Sequence, residues 1–255
     1  TLTVNGTTAA AADLNALDAK TSGTIKLDAA SITGNIADVT KVFTDTANGF
    51  TNEEITAATI SGEITAAQAD AVAVKTSGVV TATIAAGEAA ALNGALDDKT
   101  VGQKTVNAYS LTVNDTVGGA AAKDLNDLDA KTSVTVNASA VKEIIGSAAE
   151  IKTVLAAKTI TTAANVKATV DSVISAADAN TISKATTGAV TATVTAATAA
   201  ALKSALAGVS NDENDALTLT VTGTTAAAAD LVALDAKTSV DVEVNATTIT
   251  GNSAD

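Results

Sequence analysis

The sequence predicts an α/β solenoid in which about ten strand–helix coils form one parallel β-sheet, with the helices on the other face. Three observations predict this fold. One segment recurs along the chain, alternating Thr/Val stretches precede its copies, and Leu and Ala recur within it at a helical spacing. Because each helix supplies the crossover between two strands, the strands are expected to run parallel.

The recurring segment is TTAAAADLNALDAKTS at 7–22, which returns as TTAAAADLVALDAKTS at 224–239. A looser copy, TVGGAAAKDLNDLDAKTS, covers 116–133. Residues 1–38 superpose on 218–255 without a gap. We therefore predict a single repeat array over 1–255. Since the chain stops partway through a unit, we expect it to be a fragment of a longer protein.

A two-residue alternation predicts the strand of each coil. Leu2 and Val4 are expected to face one way and Thr1 and Thr3 the other, which is typical of a strand with one buried face. The same alternation recurs along the chain. The predicted coils start near residues 1, 24, 56, 79, 109, 134, 162, 189, 217 and 240.

The Ala/Leu stretch after each strand has a helical period. In the first coil Ala10, Leu14 and Leu17 are predicted to face the core, with Asn15 outside and Thr8 as the N-cap. If the helices are shorter than this pattern indicates, the alternative fold is a β-solenoid with short helices. The lysines that precede Thr-Ser pairs are predicted to be cations at helix C-termini. These are Lys20, Lys75, Lys131 and Lys237.

The composition argues against several classes of function. The chain contains no Cys, His, Pro, Met or Trp, and all its cations are Lys. It therefore offers no thiolate ligand, no imidazole general base and no guanidinium clamp. A net charge of −13 argues against nucleic-acid binding. No apolar run reaches the ~20 residues that span a bilayer. We predict that the protein is not an enzyme, has no catalytic or cofactor-binding residues and contains no transmembrane segment.

Two acidic, Asn-rich interruptions are predicted to be surface loops, at 44–54 and 210–215. Carboxylate and amide oxygens suit calcium, although the spacing does not match an EF-hand. These loops therefore supply weak candidate ligands for Ca²⁺. They are Asp45, Asn48, Glu53, Glu54, Asp212, Glu213 and Asp215.

Threonines at alternate strand positions suggest a further use of the sheet. On stacked strands they form rows of hydroxyl groups, and regular rows of this kind resemble ice-binding surfaces. The alternative is that Thr is a soluble strand former on an exposed face. The pairs are Thr1/Thr3, Thr81/Thr83, Thr191/Thr193 and Thr218/Thr220, with Lys26, Asp241 and Glu243 interrupting the pattern.

The pattern AAAADLNALDAKTS…ITGNIAD resembles the Ala/Thr/Asp-rich repeats of giant secreted, hemolysin-type or adhesin-like surface proteins of marine cyanobacteria and related bacteria. The resemblance spans nearly the whole chain. It implies export and a location outside the cell or on its surface, and it carries no site residues over. The predicted architecture also resembles leucine-rich-repeat solenoids, although their consensus is not met.

From these observations we expect a structural or adhesive repeat segment of a large extracellular bacterial surface protein. Its partners are expected to be neighbouring repeats of the same chain and a surface or extracellular ligand that the sequence does not identify. The alternative is a binding module that uses an ice-binding Thr face or calcium-dependent adhesion.

Overall fold

Short helices alternate with short parallel strands throughout the computed structural model, which describes residues 1–44, 49–51, 56–96, 106–210 and 214–251. The predicted α/β class with parallel sheets is confirmed. Nine helices lie in the described residues, and none of these is long and apolar enough to cross a membrane. They are α1 (Ala11–Asp18), α2 (Ile36–Thr44), α3 (Ala66–Ala73), α4 (Ala89–Ala95), α5 (Ala122–Ala130), α6 (Ala148–Ala156), α7 (Ala176–Ala185), α8 (Ala199–Ala205) and α9 (Ala228–Asp235).

The strands vary in length from two to eleven residues. In chain order they are β1 (Leu2–Ala10), β2 (Ile25–Asn35), β3 (Phe50–Thr51), β4 (Ala57–Ile64), β5 (Val80–Ile84), β6 (Ala108–Ser110), β7 (Ala120–Ala121), β8 (Val136–Ala138), β9 (Glu143–Gly146), β10 (Ile160–Thr162), β11 (Lys167–Ile174), β12 (Val190–Val194), β13 (Ala216–Thr218), β14 (Thr220–Val221), β15 (Thr225–Ala227), β16 (Glu243–Val244) and β17 (Thr248–Thr250).

The chain packs into two compact units. Unit 1 comprises Thr1–Asn114 and Asp127–Asn137, and unit 2 comprises Asp115–Asn126 and Ala138–Asp255. Each unit has its own parallel sheet and its own apolar core. A single repeat array over the whole chain stays a prediction.

In unit 1 the sheet order is β1-β2-β4-β5-β6, with β3 also on β2. Residues at equal positions of successive coils stack in columns, such as Ile32 on Ala58 on Val80. All three side chains of that column are fully buried. Small aliphatic columns of this kind form the core because aromatic residues make up only 1% of the sequence.

The loop prediction for 44–54 is wrong at Phe50 and Thr51. These residues form β3 and pair with Ile25 and Lys26 of β2. Phe50 is 4% exposed because it occupies the core column that Ile25 occupies one coil earlier. A single apolar side chain in a polar segment was too short a signal to predict a strand.

In unit 2 the main sheet has the order β13-β12-β11-β9-β7, and two smaller pairs, β14-β16 and β15-β17, follow it. A register shift between Thr169 and Val173 of β11 matches one between Thr59 and Glu63 of β4. The same irregularity thus occurs in both units, in strands whose separation along the chain is close to that of the long sequence copies. The long copies at 7–22, 116–133 and 224–239 are spaced by four of the predicted coils.

Side-chain caps start five of the described helices. Thr65 and Ser147 form capping boxes, and Asn35, Ser175 and Thr198 accept a hydrogen bond from the first turn. The helix α1 has no such cap: its N-cap is Ala10, whereas the predicted cap Thr8 lies in β1 and pairs with Ser31. The Thr8 prediction is therefore wrong, because the strand continues further than the Thr/Ala sequence indicates.

The buried face of α1 is also displaced from the prediction. Ala11, Leu14 and Asn15 are buried, whereas Ala10 is exposed and Leu17 is partly exposed. Asn15 lies inside because its Nδ2 donates to the Asp38 carbonyl of the next helix, 3.1 Å away. A buried amide with a backbone partner cannot be distinguished from a surface amide by hydrophobic periodicity.

Candidate functional site

Three of the four Lys-Thr-Ser segments, and a related segment at Thr186, place a threonine on the backbone of the preceding coil. In unit 1 Thr132 is 7% exposed, and its Oγ1 donates to the Tyr109 carbonyl at 2.7 Å. The same oxygen accepts hydrogen bonds from the Tyr109 N–H at 3.0 Å and the Val134 N–H at 3.1 Å. One hydroxyl therefore satisfies three backbone groups, and two of them belong to the preceding coil.

Unit 2 contains the same arrangement four coils later. Thr238 Oγ1 donates to the Leu217 carbonyl at 2.8 Å and accepts from the N–H groups of Leu217 and Val240 at 2.9 and 3.2 Å. Thr76 and Thr186 form a simpler version in their units. Each donates to a carbonyl one coil back and accepts from the N–H two residues ahead. We call these four residues the threonine clamps.

Thr21 shows which hydrogen bonds of a clamp require a preceding coil. It occupies the corresponding place in the first coil, where no earlier strand of the described chain lies beside it. Its Oγ1 keeps the local bond from the Gly23 N–H at 3.0 Å, and the residue is only half-buried. The recurring sequence Lys-Thr-Ser is thus explained by the contact between coils rather than by a ligand.

Two glycines allow the coils to approach closely beside these clamps. A Cβ on Gly78 would lie 2.5 Å from the backbone of Thr56 and Ala57. A Cβ on Gly188 would likewise overlap the backbone of Asn165 and Val166. Both glycines follow a clamp by two residues, so only a residue without a side chain fits there.

Two lysines bind backbone carbonyl groups of the preceding coil, one at the end of a helix and the other in the turn that follows a helix. In unit 1 Lys131 Nζ donates to the carbonyls of Asn93, at 2.9 Å, and Leu96. In unit 2 Lys237 Nζ donates to the Val209 carbonyl at 2.8 Å. Burial lowers the pKa of Lys237, which is 7% exposed. The lysines were predicted to be cations at helix C-termini. Lys131 acts on the last carbonyls of α4, one coil back, and Lys237 acts on a carbonyl in the turn after α8.

Asn107 in unit 1 and Asp215 in unit 2 hold the start of a neighbouring strand. Asn107 Oδ1 accepts the Val80 N–H at 2.9 Å, and Asp215 Oδ1 accepts the Val190 N–H at 2.8 Å. Both side chains are buried, at 2% and 7% exposure. The other oxygen of Asp215 accepts the Ser183 hydroxyl at 2.7 Å. An amide and a carboxylate therefore perform the same structural task in the two units.

This arrangement bears on the predicted calcium ligands. Of these, Asp215 alone lies in the described part of the chain, and both of its carboxylate oxygens accept hydrogen bonds within the protein. No group of three or more Asp and Glu side chains suited to a metal ion occurs among the described residues. The remaining candidates lie outside the described residues, and calcium binding stays a prediction. They are Asp45, Asn48, Glu53, Glu54, Asp212 and Glu213.

The predicted threonine rows exist as short patches. In unit 1 Thr59 pairs with Thr81, and Thr83 pairs with Ser110. In unit 2 Thr169 pairs with Thr191, and Thr193 pairs with Thr218. Thr218 therefore extends the patch in unit 2, whereas Thr3 and Thr220 of the other predicted pairs do not extend a patch. Thr3 pairs with Lys26, and Thr220 pairs with Glu243, whose carboxylate accepts its hydroxyl.

Comparisons with known proteins do not assign a family. The chain matches no protein-family model, no curated protein and no solved structure. The resemblance to repeats of bacterial surface proteins therefore stays a prediction that rests on the sequence pattern.

Proposed function

We propose that the chain is a structural and adhesive repeat segment of a large extracellular bacterial surface protein, and that it catalyses no reaction. The observation that carries this proposal is the threonine clamp, which recurs in each unit and joins every second coil to the coil before it. In each clamp the threonine hydroxyl forms its hydrogen bonds with backbone groups of the same chain. The extracellular setting is supported by the sequence resemblance.

We also infer that the coils of each unit stack as an α/β solenoid. Columns of buried residues run from strand to strand at one coil per step, as from Ile32 to Ala58 in unit 1 and from Ala168 to Val190 in unit 2. Side chains also link successive helices, such as Lys203 to Asp230 at 2.7 Å. In a solenoid each coil contacts only its neighbours, so the stability depends on coil-to-coil contacts.

Stretching the intact chain between its termini in optical tweezers tests the structural role. A segment that keeps two parts of a surface protein at a fixed distance should resist force, unfold one whole coil at a time and refold when the force is relaxed. A coil of the length that separates Leu2 from Ile25 releases about 80 Å of contour when it unfolds. Unfolding without steps at a few piconewtons, or failure to refold, contradicts the proposal.

The second candidate is ice binding, which the paired exposed threonines favour. Thr81 and Thr83 point to the outer face of β5, and Thr191 and Thr193 do so on β12. The test is thermal hysteresis of the purified chain and of a Thr81→Lys/Thr83→Lys variant. Hysteresis that the variant lacks supports this function, and no hysteresis in the unaltered chain rejects it.

A further inference from the structure

A cavity on unit 2 lies where the middle copy of the long repeat departs from the other two copies. Its volume is about 430 Å³, which is within the range of small-molecule sites. It is formed by the loop before β7, by β9 and β11, and by the first turns of α5 and α6. The side chains and glycines that give it its character are Gly118, Gly119, Lys123, Ile145, Glu150 and Asp171.

Strand pairing identifies the equivalent positions in the three copies. Ala121 of β7 pairs with Ile145 in the middle copy. The matching alanines of β1 and β15 pair with Thr33 and Thr250 in the other two copies. A half-buried isoleucine therefore occupies a place on the sheet that holds a threonine in both other copies, and the surface is apolar there.

The glycines before β7 make room for this isoleucine. Gly118 and Gly119 replace the Thr-Thr pair that stands at 7–8 and at 224–225 in the other copies. A Cβ on Gly119 would lie only 3.0 Å from Ile145 Cδ1. Both glycines adopt a positive φ, of 81° and 75°, which residues with a side chain rarely adopt. The glycines and the isoleucine are therefore a coupled change that gives the cavity an apolar floor where the other copies place hydroxyl groups.

Charged side chains of both signs border this floor. Lys123 of α5 is exposed and replaces an alanine that both other copies have at this place. Glu150 is half-buried, and its Oε2 accepts the Ser147 N–H at 3.1 Å, which holds the carboxylate beside the cavity. Asp171 of β11 is exposed. One ammonium group and two carboxylates around an apolar floor are complementary to a ligand that carries both charges next to an apolar group.

We propose that this cavity binds a free aliphatic α-amino acid such as leucine. The aliphatic side chain of the ligand lies on Ile145, its carboxylate faces Lys123, and its ammonium group faces Asp171 and Glu150. A free amino acid fits because it carries a carboxylate, an ammonium group and an apolar group on one small molecule. This binding activity goes beyond the proposed structural function and does not depend on it, since none of these residues is a threonine clamp.

The test is an NMR titration of the isotope-labelled full chain with L-leucine as the probe. We expect saturable shifts of the amide signals of Gly118, Gly119 and Ile145, with a dissociation constant of about 1 mM or lower. Three relatives of leucine each lack one group: isopentylamine lacks the carboxylate, isocaproate lacks the ammonium group, and glycine lacks the aliphatic side chain. Each should bind about fivefold or more weakly than leucine, because it leaves one part of the site without its partner.

Two substitutions restore the residue that the other copies carry. Lys123→Ala should remove the difference in affinity between leucine and isopentylamine, and Ile145→Thr should reduce the difference between leucine and glycine. Asp171→Asn should weaken leucine binding about fivefold, because it removes a charge that faces the ammonium group. Lys41→Ala and Asp13→Asn alter exposed charges of unit 1 in the same way and should leave the dissociation constant unchanged. Circular dichroism checks that each variant is folded.

The proposal fails if leucine gives no saturable shifts at these amides, or if glycine, isopentylamine or isocaproate binds as tightly as leucine. It also fails if Lys123→Ala and Lys41→Ala bind leucine alike. Tighter binding of N-acetyl-leucine amide than of leucine overturns it as well, because the occupant would then be a residue within a peptide chain and not a free amino acid.

Discussion

Replacing Thr132 by valine removes one hydroxyl and nearly preserves the shape of the side chain. Thr132→Val deprives the N–H and the carbonyl of Tyr109 of their partner in a buried place. It also releases the Val134 N–H, but Val134 is 38% exposed, so water can replace that bond. The structural cost is therefore set mainly by the two groups of Tyr109.

The expected loss of stability follows from these groups. A buried backbone group without a partner costs about 1–3 kcal/mol, so the loss of two partners in Thr132→Val should lower the free energy of unfolding of unit 1 by about 2–6 kcal/mol. Thr132→Ser keeps the hydroxyl and loses one methyl group, which costs about 1 kcal/mol. Thr135→Val alters an exposed threonine nearby and should change stability by less than about 0.5 kcal/mol.

Urea denaturation followed by tyrosine fluorescence measures these differences. Tyr109 is the only tyrosine in the chain, is 2% exposed and is the residue that the clamp holds, so its signal reports unit 1. The order of stability should be wild type, Ser variant and then Val variant. If Thr132→Val unfolds at the same urea concentration as Thr135→Val, the clamp does not stabilise the coils and the reasoning is refuted.

Three further sets of substitutions test individual contacts. Gly78→Ala should lower the free energy of unfolding by about 3 kcal/mol or more, because the new Cβ would overlap backbone atoms. Gly94→Ala lies at an exposed helix position with open space and should raise it by about 0.5–1 kcal/mol. Equal shifts of the melting temperature in the two variants would contradict this prediction. In urea denaturation, Asp215→Asn should lower the free energy of unfolding by less than about 1 kcal/mol, because the Val190 N–H needs only an acceptor. Asp215→Ala removes that acceptor and should lower it by about 1–3 kcal/mol. A loss with Asn as large as that with Ala would show that the negative charge is required. Hydrogen bonding to Lys152 lowers the pKa of Asp178 from 3.8, so its contribution is present above that pH and is lost as the pH falls through the lower folded value. The difference in melting temperature between wild type and Asp178→Asn should therefore be present at pH 7 and vanish in strong acid; a constant difference over that range contradicts the assignment.

The sequence predicted those parts of the fold that follow from the spacing of apolar residues, which is two in strands and three to four in helices. Alternation over Leu2 and Val4 and the i, i+3 spacing after it identified a strand and a helix correctly. The burial predicted for these residues was wrong in part, since Leu2 is 43% exposed and Val4 and Leu17 are only half-buried. Boundaries were less accurate. Thr8 was predicted to be a helix N-cap but belongs to β1, and Phe50 begins a short strand inside a segment that was predicted to be a loop.

The polar contacts were the least predictable part. From the sequence, Asn15, Thr132 and Asp215 are expected at the surface. In the structure each is buried and forms a hydrogen bond with a backbone group of another coil. Such bonds join residues more than 20 positions apart and leave no local periodicity. The repetition of Lys-Thr-Ser was the available signal, because a residue kept in register from coil to coil is expected to face the neighbouring coil.

The most direct test of the repeating architecture is a deletion in register with the four-coil unit. Removing residues 79–188 joins Gly78 to Ala189 and replaces one coil by its counterpart four coils later, so each remaining coil keeps the type of neighbour that it has now. A deletion of 79–161 removes a different number of coils and places two coils of the same type, those of β4 and β11, next to each other. We predict that the in-register variant unfolds cooperatively with wild-type ellipticity per residue, and that the out-of-register variant is unfolded or aggregates. If both variants lose their structure to the same extent, the four-coil repeat is not the unit that holds this protein together.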